Sequence, residues 1–368
     1  MSHVLFISHA RGIHGAEAVM VRAAKACAAR GVRVTVVLPS IVPDEGMEKA
    51  LHGVCNLHLM SLPYRAAGKS MLRTQLVRVY NIRTLLNLKR YVINEHVDRI
   101  YSGSSVTILG VALSRMTGVC HVWHWHEPVD VRFGWHPSMK AYYRRAAKAT
   151  DTIVCISQQQ KTEWEHTLEV ALTNAQIVYN PIKRLPLQQA LPHEGIRFGF
   201  IGHFEERKNL SLLIRTFEQL HATHPHTSLW LCGAVGEKDR LYVEQMTALR
   251  ESSVNVLSQT PDVASFYANI DVLVLPSWRE TMPLVVLEAM QAGVCVLQTD
   301  QSGMSEIIKD GKESLFFSPY AQDALLRLME RCMDEKEFKN IASAGQKKAI
   351  QLVNNQSFDD QITRLLCE

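Results

Sequence analysis

Short apolar runs alternate, along the whole chain, with longer stretches whose apolar positions recur at helical spacing. The runs lie near residues 3–8, 32–38, 56–60, 97–101, 119–124, 152–156 and 176–179, and again near 196–201, 227–232, 253–257, 271–275, 294–298 and 314–317. Within a run such as Val272, Leu273, Val274 and Leu275 the apolar residues are continuous, which suits a strand covered on both faces. Strands of that kind separated by helices predict doubly wound parallel sheets, two of them here because the pattern restarts after residue 195. Between the halves, residues 180–195 carry Pro181, Pro186 and Pro192, lose the periodicity and read as a linker. The expected division is 1–180, 181–355 and a terminal helix over 356–368. In sheets of this type ligands bind beyond the carboxyl ends of the strands, so the loops there are where chemistry is sought.

A length of 368 residues accommodates two domains that each bury a core. Nowhere do 18 apolar residues follow one another, and the first strand begins at His3 without a charged leader, so the expected location is the cytoplasm. The eight cysteines are scattered and form no Cys-x-x-Cys pair, which reads as reduced core thiols rather than zinc or redox ligands. The net charge of +4 hides an asymmetry: residues 1–180 hold 21 Lys or Arg against 12 Asp or Glu, and the remainder 19 against 24. Much of the excess falls in residues 65–90, where Arg65, Lys69, Arg73, Arg78, Arg83, Lys89 and Arg90 meet no acidic residue and alternate with Leu72, Leu76, Val79, Leu85, Leu86 and Leu88. Such a segment suits an anionic membrane surface, and an ordinary solvated helix face is the plain alternative. Nucleic acid is disfavoured, because no nucleic-acid module is recognisable and the second half is acidic. A second basic group, Lys140, Arg144, Arg145 and Lys148, lies beside Tyr142 and Tyr143.

The densest chemistry follows the apolar run 272–275. Glu280 stands in the loop after it, Pro283 occupies a first-turn position, and Glu288 falls inside the helix that Leu284, Leu287, Ala289 and Met290 outline before Gly293 ends it. A capping glutamate followed by a solvated one is the plain reading of two such residues. Yet the chain continues with another apolar strand, then Asp300, Gly303, Glu306, Asp310 and Gly311, a Gly-containing turn expected to enter a helix. Over residues 276–311 the sequence resembles the retaining glycosyltransferases of family 4, whose hallmark is a Glu, seven residues and a second Glu. The resemblance implies the GT-B architecture: α/β, two Rossmann-like doubly wound parallel-sheet domains facing an interdomain cleft.

Other segments carry the same likeness. Gly15, Ala16 and Glu17, after the first strand, match the family's Gly-Gly-Ala-Glu element, with His14 where the first Gly stands. Without a resemblance, a glycine loop at a helix start indicates only an anion-tolerant site, and the dinucleotide spacing of glycines is missing. In the run 121–128, His124 and His126 share a strand face, which raises metal ligation, but no third ligand is evident and Pro128 signals an exit turn. His126, Glu127 and Pro128 resemble the family segment whose His contacts the transferred sugar, with His124 the alternative. Gly202, His203, Arg207 and Lys208, after the first strand of the second half, resemble the phosphate-binding loop, with His203 where the family commonly has Arg; surface charges before a helix are the plain alternative.

The resemblance implies a hexosyltransferase that moves a hexose-type sugar with retention from a UDP- or GDP-sugar to a hydroxyl of a glycan or lipid-linked acceptor, in polysaccharide or lipopolysaccharide assembly. It implies catalytic roles for His126, Glu280 and Lys208, and donor contacts at Gly15, Gly202, His203, Arg207, the backbone of Thr281, Met282, Pro283 and Leu284, and Glu288 on the ribose. Acceptor-side residues would be Glu17, His124 and Glu127. The chain has no Asp-x-Asp pair, so neither metal nor other cofactor is expected. A peripheral position on the inner face of the cell membrane follows from the basic segment. A sugar-nucleotide 2-epimerase of the same fold and a non-catalytic nucleotide-sugar-binding subunit are the alternatives; a nicotinamide dehydrogenase lacks its glycine loop.

Overall fold

The computed structural model describes residues 2–13, 15–41, 45–54, 56–67, 70–129, 137–186, 188, 192–234, 253–258, 260, 262–355 and 357–368; His14, Cys55, Lys69 and residue 356, named above, lie outside them. The chain divides into two compact units, Met1–Pro181 with Ser357–Glu368, and Ile182–Gln356.

In the first unit the strands are β1 (His3–Ile7), β2 (Arg33–Pro39), β3 (Leu57–Leu62), β4 (Arg99–Ser102), β5 (Cys120–Trp125), β6 (Thr152–Cys155) and β7 (Ala175–Ile177). Between them lie α1 (Gly15–Ala29), α2 (Gly46–Leu51), α3 (Met71–Asn94), α4 (Leu109–Thr117), α5 (Pro137–Ala149) and α6 (Gln158–Leu168). The second unit carries β8 (Ile196–Ile201), β9 (Thr227–Gly233), β10 (Val254–Ser258), β11 (Val272–Leu275), β12 (Cys295–Thr299) and β13 (Leu315–Phe317). Its helices include α7 (Leu210–Thr223), α8 (Val263–Ala268), α9 (Leu284–Gln291), α10 (Gln322–Arg331) and α11 (Glu335–Asn354), and α12 (Phe358–Cys367) ends the chain.

The sheets run β3-β2-β1-β4-β5-β6-β7 and β10-β9-β8-β11-β12-β13, and every pairing among the named strands is parallel. Read within each unit, both contain the doubly wound order 3-2-1-4-5-6, which reverses direction between its first and fourth strands. At that reversal the flanking helices leave to opposite faces and the loops after the two strands part, opening a place for a ligand. The reversal falls between β1 and β4 in one unit and between β8 and β11 in the other.

Burial explains the continuous apolar runs. Val4, Leu5, Phe6 and Ile7 of β1, and Val272 through Leu275 of β11, are buried residue after residue. One core of the first unit joins β1 and β2 to α1 and to Phe358, Ile362 and Leu366 of α12, and Arg22 of α1 pairs with Asp359 at 2.8 Å. The terminal helix therefore belongs to the first unit's core although the chain reaches it from the second. A separate cluster under β5 holds Trp123, Trp125, Tyr143 and Trp164.

At the end of β8, Gly202 has φ +151°, and a Cβ on Gly233 would lie 1.9 Å from the Gly202 carbonyl oxygen. The first two strand ends of this unit approach as only glycine permits. The helix expected after Gly303 is instead a single 3-10 turn, Gly303–Glu306. Asp310 bridges to Ser314 and Gly311 has φ +70°, so the backbone turns toward β13 before a helix can propagate.

Candidate active site

Glu280 leaves the end of β11 and is fixed by its backbone: its N–H donates to Gln301 O at 2.8 Å and its carbonyl accepts from Gly303 N at 3.3 Å. The residue is 7% exposed. Lys208, in the 3-10 turn Glu206–Lys208 after β8, donates through Nζ to Glu280 Oε1 at 2.6 Å. Arg207 reaches Glu280 Oε2 at 3.4 Å, pairs with Glu205 at 2.7 Å and donates to Arg279 O at 3.3 Å. The backbone adds a further tie, Trp278 N to Arg207 O at 3.1 Å. The two loops flanking the chain reversal are thus stitched together by a buried carboxylate and two cations.

The electrostatics decide which form the carboxylate takes. Burial works to raise the Glu280 pKa, but Lys208 and then Arg207 outweigh it and hold the group below the ordinary value, so it is ionised at neutral pH. Burial likewise works against the Arg207 charge, and Glu280 and Glu205 overcome it. Glu288 differs. It sits in α9 and accepts a hydrogen bond from the Tyr267 hydroxyl of α8 at 3.0 Å, while burial raises its pKa against that bond. Its neighbours are therefore not those of Glu280.

Thr281 and Met282 lead to Pro283, the cap residue of α9; Val286 N already donates to Pro283 O at 3.1 Å, and the amides of Leu284 and Val285 are the ones that open the helix ahead of any intrahelical acceptor. Gly202 and His203 line a pocket of about 100 Å3 together with Ile201, Cys232, Gly233 and Thr260. His203 is exposed at its rim.

In the first unit the corresponding loops gather a second set. Glu17, 3% exposed in the first turn of α1, meets His9 Nε2 at 3.1 Å. Among the described residues, its chain neighbours and own helix backbone aside, nothing lies within 4 Å of a Cβ built on Gly15. His124 is fully buried, its Nδ1 2.7 Å from the Tyr101 hydroxyl, and its ring lies 4.0 Å from that of His126. His126 Nε2 is buried and makes no hydrogen bond among the described residues. Glu127 turns inward: Ser104 donates to one oxygen, while Ser105 N at 2.9 Å and Ser105 Oγ at 2.6 Å donate to the other. Its pKa falls to about 2 although burial pushes upward, because His9, the two serines and His126 favour the anion. Among the described residues no three His, Cys, Asp or Glu side chains gather as a metal site; the His124 and His126 rings are tilted against each other by 35°.

His9, Ser104, Ser105 and Tyr267 did not stand out in the sequence. His9 is the second residue after β1 and could have been found from that position; the others resemble ordinary loop and core residues until the fold supplies Glu127 and Glu288.

Burial makes His126 a neutral imidazole, its pKa lowered to about 4, and lowers that of His121 to about 3. A histidine whose folded pKa lies below its unfolded value of roughly 6.5 favours the native state fully above that value. As pH falls from there toward 4 the unfolded chain takes up protons that these two histidines refuse, and stability declines. Thermal midpoints measured from pH 7.5 to 4.5 are expected to drop, with a shallower drop in His126→Asn; a flat profile would contradict neutral burial.

These features place the protein in a class. Two Rossmann-like sheets of one topology, each with polar residues collected at its chain reversal, make a GT-B protein. The Glycosyltransferase Family 4 model matches residues 13–184 and the Glycosyl transferases group 1 model matches residues 182–349, and the chain belongs to the family 4 glycosyltransferases.

Particular relatives follow. The chain is 27% identical over 174 residues to the lipopolysaccharide 1,2-N-acetylglucosaminetransferase of Salmonella typhimurium, 44% of this chain and 46% of that protein. It thus spans about half the length of that relative. Against the D-inositol 3-phosphate glycosyltransferase of an Arthrobacter species it is 25% identical over 356 residues, 88% of this chain and 83% of the other. The structure of Anabaena HepE in complex with UDP and glucose shares the fold with a TM-score of 0.79 at 18% identity, covering 100% of this chain and 99% of that one.

Proposed function

We propose that the protein transfers a sugar from a nucleoside diphosphate donor to a hydroxyl of a glycan or lipid-linked acceptor of the lipopolysaccharide or surface-polysaccharide type, with retention of configuration. The observation that carries the reading is the ionised, buried Glu280 held between Lys208 and Arg207 at the chain reversal of the second unit. A diphosphate leaving group gathers negative charge as the glycosidic bond breaks, and fixed cations in a site that excludes water stabilise that charge. Lys208 and Arg207 take this part, so no divalent cation is required, and turnover is expected to persist in chelator. Glu280 accepts hydrogen bonds from sugar hydroxyls, Glu288 those of the ribose, and the first amides of α9 face the phosphates. In the first unit the neutral His126 offers a sugar hydroxyl its Nε2, which makes no hydrogen bond among the described residues.

Family membership supports transfer chemistry, the Salmonella relative's name supports a lipopolysaccharide-type product, and HepE was solved with UDP. The test offers UDP- and GDP-sugars with oligosaccharide and lipid-linked acceptors, and follows products by mass spectrometry. The expected result is an acceptor heavier by one sugar with equimolar nucleoside diphosphate. Isomerised donor, or donor bound without any turnover across the panel, would contradict the proposal.

A further inference from the structure

Helix α3 is amphipathic with its faces reversed. Its buried stripe is Thr74, Val77, Asn81, Thr84, Leu88 and Val92, half of it polar. Two of those polar residues are satisfied by the loop beneath: Asn81 Oδ1 accepts from Arg65 N at 2.9 Å, Asn81 Nδ2 donates to Arg65 O at 2.8 Å, and Thr84 Oγ1 donates to Pro63 O at 2.7 Å. The opposite face presents Leu72, Leu76, Val79, Ile82, Leu86 and Ile93 to solvent, Leu72 being 73% exposed and Val79 66%. At 100° per residue these six fall within an arc of roughly a third of the helix circumference. A soluble surface seldom leaves so continuous an apolar strip uncovered, because each of these side chains gains by leaving water.

The charges on the helix narrow the occupant. Over its 24 residues α3 has no acidic side chain, while Arg83 and Arg90 lie on the same line as the leucines and Arg73 and Lys89 stand beside it. Arg78 is used inside the unit, stacked 3.8 Å from the Tyr142 ring. A second copy of the helix laid against this face would bring arginines into an apolar seam with no carboxylate on either helix to meet them. An anionic bilayer surface has both parts the face asks for, acyl chains for the leucines and phosphates for the guanidinium groups. No helix among the described residues is long and apolar enough to cross a membrane, and α3, about 36 Å long, would lie in the interface plane.

We propose that α3 docks the protein onto anionic lipid, the strip from Leu72 to Ile93 entering the headgroup boundary and Arg73, Arg83, Lys89 and Arg90 binding lipid phosphates. The proposal goes beyond the transfer reaction and is tested without donor or acceptor, so its failure leaves the reading of Glu280 and Lys208 untouched.

The full chain is sedimented with vesicles of phosphatidylcholine containing phosphatidylglycerol, and with phosphatidylcholine alone, at low and high salt. Binding is expected only with the anionic lipid and is expected to fall as salt rises. The double variants Leu76→Ser/Val79→Ser and Arg83→Gln/Arg90→Gln change exposed side chains, keep the thermal midpoint, and are each expected to weaken binding by about tenfold or more. Leu76→Trp is expected to shift its emission to the blue when anionic vesicles are added. Wild-type protein left in the supernatant would overturn the proposal, as would vesicle binding that ignores the leucine variant. So would a concentration-dependent dimer, or tight binding to single-stranded RNA, that loses affinity in these variants while vesicles remain unbound.

Discussion

Glu280→Gln is expected to lower turnover by roughly a hundredfold to ten-thousandfold while the protein stays folded, the range that removal of one placed charge at a reacting centre produces. Glutamine keeps the shape and an oxygen for Lys208 at the end of β11 but removes the charge. The backbone that holds the residue, between Gln301 O and Gly303 N, does not depend on the side chain. Stripping the counter-charge from buried cations is destabilising in general. Here the cost is limited, because Lys208 and Arg207 retain 15% and 27% side-chain exposure and Arg207 keeps Glu205. Glu280→Ala would mix a cavity with the lost charge, which makes the glutamine variant the sharper probe. Initial rates of nucleotide release with acceptor, beside a thermal melt, separate loss of function from loss of fold. Full turnover in Glu280→Gln would remove the residue from the reaction.

Lys208→Ala is expected to cost about a hundredfold or more in kcat/KM, with part of the loss in nucleotide affinity. Among the described residues Lys208 pairs with Glu280 alone, and a departing diphosphate can draw its flexible ammonium across. Arg207 is already tied to Glu205 and to Arg279 O, so Arg207→Ala is expected to lose less. There is also a pH consequence. With Lys208 gone, the largest of the groups opposing burial of Glu280 is lost, leaving Arg207 at 3.4 Å and a lesser hydrogen bond from Ser277, so the pKa of the carboxyl rises. The acid limb of the pH–rate profile is expected to move to higher pH in Lys208→Ala, which a purely structural lysine would not do. Wild-type kinetics across the profile would refute the assignment.

Much of this was legible in the sequence because it was written in local pattern. The strands named above fall on the short runs the sequence offered: residues 4–7 of β1 and all of β11 are continuous and apolar, since strands covered on both faces need no alternation to be recognised, while β3 and β7 carry His58, Ser61 and Gln176. The loops after β8 and β11 stood out because their charged residues interrupt those runs. What stayed hidden was pairing. Glu127 meets Ser104 and Ser105 from 23 and 22 positions away, Glu288 meets Tyr267 from 21, and Glu280 meets Lys208 from 72, joined only when β4, β5, β8 and β11 take their places.

Helix α3 illustrates the other limit. In the sequence Leu72, Leu76, Val79, Leu85, Leu86 and Leu88 form one interleaved set, but the helix sends Leu88 into the core, half-buries Leu85 and leaves the remaining four exposed. Asn81 and Thr84 decide that rotation through hydrogen bonds to the backbone of residues 63 and 65, contacts that composition does not reveal. The second basic group is likewise partly spent within the unit, since Lys140 and Arg144 both pair with Glu169.

The central claim is that the paired Lys208 and Glu280 of the second unit receive the activated sugar's diphosphate and hydroxyls. Calorimetric titration of UDP and GDP into the wild type and Lys208→Ala tests it most directly. The account predicts that at least one of the two binds the wild type, and binds the alanine variant about tenfold or more weakly. Equal affinity in the two proteins, with the fold intact, would contradict it.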